Sequence, residues 1–145
     1  MRILIDTNVV LDFLQEREPF VEDAAKLFEK IDAGEKSGFI AATTITNIYY
    51  IVRKAAGIVA AEDAITQILT DLYICPVDRS VIEQAMRKRL QQGSIAFNFR
   101  DFEDAVQYAC AIAHGLDVIV TRDVSGFVSG EIPVVSPGEL GEISS

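Results

Sequence analysis

The chain has 145 residues, half of them apolar or aromatic, which suits one domain over residues 1–145 with a sizeable core and argues against a second. A formal charge of -9 excludes a protein that holds nucleic acid mainly through a broad basic face. It does not exclude a metal-dependent nuclease, because bound divalent cations reverse the local sign for an incoming phosphate.

Residues 2–5 form a short, mostly apolar run ending at Asp6, and Asp6, Thr7 and Asn8 bring cap and turn chemistry before residues 9–14. That order predicts a strand and then a helix. Pro19 suits an early helix position, and Val21, Ala24, Ala25, Leu27, Phe28 and Ile31 recur at helical spacing until Gly34. Residues 38–42 predict a second strand, after which Thr43 or Thr44 caps a helix through Asn47, Tyr50 and Val52 to about Gly57. Residues 60–72 predict another helix and 73–77 a strand, and Asp78 or Ser80 then caps a helix to about Gln92.

Residues 94–100 are expected to form an aromatic-containing loop. Phe102, Ala105, Val106, Ala109, Ile112 and Ala113 then mark a helix closed by Gly115. Residues 118–121 predict a buried strand, 132–135 a last one, and the remainder a polar tail. Cys75 and Cys110 are too far apart for a CxxC motif and sit in apolar runs, so both are expected as buried free thiols. No long apolar leader or membrane span is visible, which makes the cytoplasm the expected compartment. Short strands alternating with helices favour an α/β fold, a three-layer α/β/α arrangement with a mainly parallel sheet.

Such a sheet brings the carboxyl ends of its strands, and the helix starts after them, to one edge where ligands bind. Asp6 directly follows the first strand, where it is either a helix cap or a ligand. Asp101 and Asp104, three apart, share a helix face; Asp101 reads as the cap and Asp104 as the ligand. Asp123, two residues past Thr121, is either a turn residue or a second strand-end ligand. Thr7, Asn8 and Thr121 either orient a ligand or phosphate or act as caps. Arg100 and Arg122 are the basic residues nearest these acids in sequence, and Phe97 and Phe99 stand before Asp101, where they either anchor the loop or stack on a base. His114, the only histidine, falls at a helix end, where it is expected to be solvated or to complement the helix dipole.

The segments ILIDTNVVLDFL, TTITNIYYIVRK, DFEDAVQYACA and VIVTRD, in that order, resemble the PIN domain family, and in particular its VapC-like metal-dependent ribonucleases. The resemblance implies an endoribonuclease with metal-ligating and catalytic residues at Asp6, Asp104 and Asp123. It also implies RNA as substrate, a homodimer, and a toxin role opposed by an antitoxin protein. Two positions depart from the common pattern: Asn47, a site residue expected to offer an uncharged and weaker oxygen ligand, stands where many members carry a glutamate, and Gly126 precedes Phe127 where many carry an aspartate. A set of hard oxygen ligands suits Mg2+ or Mn2+. The departures also suit a different reading, a catalytically weak PIN-like module that binds RNA or protein without cutting.

Overall fold

The computed structural model describes residues 1–91, 99–124 and 131–140, with the side chains of residues 89–91 and 99–101 outside that description. In chain order the elements are β1 (Arg2–Ile5), α1 (Thr7–Leu14), α2 (Val21–Asp32), β2 (Ser37–Ala41), α3 (Ala42–Ala56) and α4 (Ile58–Asp71). They continue with β3 (Tyr73–Cys75), α5 (Arg79–Gln91), α6 (Phe99–Ala113), β4 (Val118–Val120), β5 (Val134–Val135) and α7 (Pro137–Leu140). The strands line up as β3-β2-β1-β4-β5, and every pairing is parallel.

Parallel pairing requires crossover helices, and alternation along each strand distributes them to two faces. Ile3 and Ile5 of β1, Ile40 of β2 and Val118 and Val120 of β4 point into one core with α1 to α4 and Leu140 of α7. Leu4, Ala41 and Ile119, the intervening residues, point into a second core with Val81 and Ala85 of α5 and Val106 and Ala109 of α6. The predicted three-layer architecture is therefore realised. Both faces of β1 and β4 are covered, which explains why their sequences read as continuous apolar runs rather than alternating ones. Each fully buried Ile or Leu contributes roughly 1.5–3 kcal/mol relative to exposure.

Several element boundaries depart from the sequence expectations: β3 ends at Cys75 and not at residue 77, and Pro19 precedes α2 instead of lying in its first turn. α3 starts at Ala42, directly off β2, with Ala41 as its cap and no capping side chain, so neither Thr43 nor Thr44 caps it; Thr44 is fully buried inside the first turn. α6 begins at Phe99, three residues before the first apolar position used to locate it, so Asp101 lies within the helix and not at its cap. The polar tail contains the short helix α7, and the last strand is confined to Val134–Val135. Of the loop expected over residues 94–100, Phe99 and Arg100 belong instead to α6, while residues 94–98, with Phe97, and the glycine-bearing segment with Gly126, Phe127 and Gly130 lie outside the described residues.

Two glycines close helices where a side chain would be strained. Gly57 (φ 96°) separates α3 from α4, and Gly115 (φ 64°) ends α6 before the chain enters β4. Asp78 caps α5 as expected, its Oδ1 accepting the Val81 N–H at 3.0 Å.

Candidate metal centre at the carboxyl edge of the sheet

The chain leaves β1 on one side of the sheet toward β2 and β3, then returns past β1 to place β4 and β5 on the other side. The reversal opens a crevice at the carboxyl ends of β1 and β4. Asp6 occupies it. Its backbone N–H donates to Val120 O at 2.9 Å, prolonging the β1–β4 ladder by one residue, and its carboxylate then meets three donors. Oδ1 accepts the Thr7 N–H at 2.8 Å and Gln107 Nε2 at 2.9 Å, while Oδ2 accepts the Thr121 hydroxyl at 2.8 Å. Asp6 is thus both the cap of α1 and a buried acid, 3% exposed.

The second set of acids comes from the N-terminal half of α6. Glu103 Oε1 accepts the Thr7 hydroxyl at 2.8 Å and Gln107 Nε2 at 3.4 Å, and Glu103 Oε2 accepts from Asn47 Nδ2 of α3. Asp104, its neighbour, is also buried. One carboxylate oxygen from each of Asp6, Glu103 and Asp104 lies within 4.8 Å of the other two. Three carboxylates this close repel one another. The donors from Thr7, Asn47, Gln107 and Thr121 are neutral, so they orient the oxygens without cancelling their charge. A compact all-oxygen set of this kind suits a hard divalent cation.

Asp6 and Asp104 are therefore brought together as the sequence suggests. Asp123 is attached at the rim: its N–H donates to Thr121 Oγ1 at 3.1 Å, the same hydroxyl that donates to Asp6, but it is not one of the three clustered acids. Asn47 meets the cluster through its amide nitrogen, holding Glu103. Asn8 is half-buried in the first turn of α1. The side chains of Asp101, Arg100 and Phe99 lie outside the described residues. Arg122 is engaged elsewhere: its Nε and Nη2 donate to Asp12 at 2.6 and 3.3 Å, and its guanidinium lies 3.9 Å from the centre of the Phe20 ring. Arg53, Lys54 and Arg87 are exposed.

Two residues of the centre were not singled out in the sequence, Glu103 and Gln107. A signal for them exists: residues 103, 104 and 107 are polar positions in α6, which otherwise packs apolar residues against the sheet, and i, i+3 and i, i+4 spacing places them on neighbouring surface. Both cysteines are free and buried, as expected.

A family model described as PIN domain matches residues 2–125. Ribonuclease VapC1 of Aquifex aeolicus is 28% identical over 141 residues, covering 97% of this chain and 94% of that protein. The structure of DNA-bound VapBC from Salmonella typhimurium superposes with a TM-score of 0.71 at 15% identity, covering 94% of this chain and 98% of that one. VapC20 of Mycobacterium tuberculosis, described as a Sarcin-Ricin loop cleaving toxin, superposes with a TM-score of 0.68 at 17% identity, covering 87% and 96%.

Proposed function

Because the chain belongs to the PIN domain family, we propose that it is a divalent-metal-dependent endoribonuclease, the toxin of a toxin–antitoxin pair, working in the cytoplasm as one domain on RNA. The observation that carries the reading is the group of buried Asp6 and Asp104 with half-buried Glu103 at the sheet's switch point.

Asp6, Glu103 and Asp104 would hold the ion, with Asp123 contributing from the β4 side, and Mg2+ or Mn2+ bound there would supply Lewis-acid charge for hydrolysis of a phosphodiester. The chain's own part is orientation. Thr7, Gln107 and Thr121 fix both Asp6 oxygens, and Asn47 with Thr7 fixes Glu103, so the ligand atoms are held before the ion arrives. Without an ion, this negative edge repels an RNA phosphate. Asn8, half-buried in the first turn of α1 two residues beyond Asp6, is proposed to meet the RNA backbone.

The same electrostatics explain how an antitoxin would act. A partner that places an Arg or Lys among the carboxylates competes with the ion for the same charge. Tyr50, Ile58, Val59 and Leu69 on α3 and α4 are exposed apolar residues, at 64%, 50%, 73% and 60%, which supports protein contact on that side by an antitoxin or a second copy.

Cleavage of labelled RNA under Mg2+ or Mn2+ tests the proposal. The wild-type chain cleaves, a chelator stops it, and Asp6→Asn lowers the rate by at least ~100-fold while leaving the circular dichroism spectrum unchanged. Failure of the wild-type chain to cut any RNA with either ion leaves a binding module of the same fold.

A further inference from the structure

A second group of ligating side chains lies away from the acidic edge. Cys75 is the last residue of β3, Cys110 lies in the last turn of α6, and His114 directly follows that helix, four residues after Cys110. Cys110 follows Glu103 by seven residues, about 10 Å along the helix axis, so the two groups are distinct. The sulfurs of Cys75 and Cys110 and one ring nitrogen of His114 lie within 4.8 Å of one another.

The surroundings favour ligation over simple packing. Besides facing the Cys75 thiol, Cys110 Sγ makes long contacts to backbone carbonyls, 3.8 Å to Cys75 O and 3.6 Å to Pro76 O, which binding an ion would sacrifice at little cost. His114 Nε2 lies 3.1 Å from Pro76 O, a carbonyl that can only accept, so the nitrogen carries the proton there. Support of an imidazole by a backbone carbonyl is a common partner of metal ligation. Both sulfurs are fully or almost fully buried, whereas His114 is half-buried and leaves a way in. Cys75 is the more acidic thiol, drawn below its usual value by the hydrogen bond from Cys110 against the cost of burial, with help from the Arg2 guanidinium. Burial, Cys75 and the Asp78 carboxylate push Cys110 up, after the dominant effect of its hydrogen bond to Cys75.

We propose that Cys75, Cys110 and His114 form a zinc(II) site that ties the end of β3 to the C-terminal end of α6. Two thiolates and an imidazole are soft to borderline donors of the kind that select zinc over the hard ions suited to the acidic edge. With Zn–S at about 2.3 Å and Zn–N at about 2.0 Å, tetrahedral ligands stand about 3.5 Å apart, so small rotamer changes close the group. Binding releases two thiol protons to solvent, and the fourth position remains for water.

The test is spectroscopic and independent of RNA cleavage. The full chain, kept under a phosphine reductant, is titrated with cobalt(II) alone. One equivalent gives thiolate-to-cobalt charge-transfer absorption, which zinc(II) then abolishes by displacement. Carboxylates cannot give this band, so Asp6→Asn retains it. Cys75→Ser and Cys110→Ser each remove it, and His114→Gln, a change at a half-buried position, weakens cobalt binding at least tenfold. Absence of the band from the reduced wild-type chain overturns the proposal, as does a band left unchanged by the three variants.

Discussion

Asp12 is 1% exposed, and a carboxylate so buried must be paired. Its main partner is Arg122, through Nε at 2.6 Å and Nη2 at 3.3 Å, with Arg17 standing farther off at 3.9 Å. Arg122→Ala is therefore expected to destabilise the fold by about 3 kcal/mol in chemical denaturation, because it strands a buried charge; Asp12→Asn in the same background recovers part of that loss. A residue whose only role was to touch RNA would leave the denaturation midpoint unchanged. The sequence placed Arg122 beside the acids by chain proximity but could not show a partner 110 residues away. Glu103 was overlooked for the same reason, since its bonds to Thr7 and Asn47 span 96 and 56 residues. Asp6 and Asp104 were legible because a strand end and a helix face are local patterns, readable from their neighbours alone.

At the scale of elements, the helices that bury one clear apolar face were legible, and their starts were not. α3 begins without a capping side chain, so no cap signal marks Ala42, and the threonines after it looked like one. α7 shows the reverse. Ser136 and Glu139 form a reciprocal capping box: Ser136 Oγ donates to Glu139 Oε1 at 2.7 Å, Ser136 N–H donates to it at 3.3 Å, and Glu139 N–H donates to Ser136 Oγ at 3.3 Å. The pattern was in the sequence, but the helix is only four residues long and has no period to announce it. The Ser136 hydroxyl and N–H hold the Glu139 carboxyl below its ordinary value. A lowered acid pKa favours the folded helix above the ordinary glutamate range, and the advantage disappears as pH falls through the lowered value. Protection of the Glu139 and Leu140 amides from hydrogen exchange is thus expected to fall on acidification before that of the sheet, and Ser136→Ala to show the same loss at neutral pH.

Across the whole molecule, strand order decides what the scattered acids become. With β1 at the centre and β4 beside it, Asp6 and Thr121 emerge next to each other, and α6 crosses the same edge to add Glu103 and Asp104. Parallel α/β character was visible in the sequence, whereas the reversal between β1 and β4 is a property of the tertiary fold alone. The formal charge of -9 adds to the cost of this gathering, since the chain brings three carboxylates to one crevice. A cation bound only by the folded state then stabilises the protein by mass action, about 2.7 kcal/mol when the free ion is a hundredfold above its dissociation constant. Thermal unfolding in Mg2+ or Mn2+ is accordingly expected several degrees higher than in chelator, with K+ at equal ionic strength giving no comparable rise. Asp104→Asn removes one ligand, so the ion-dependent rise in its midpoint is expected to be lost. A wild-type midpoint indifferent to divalent ions would mean that the three carboxylates do not share one.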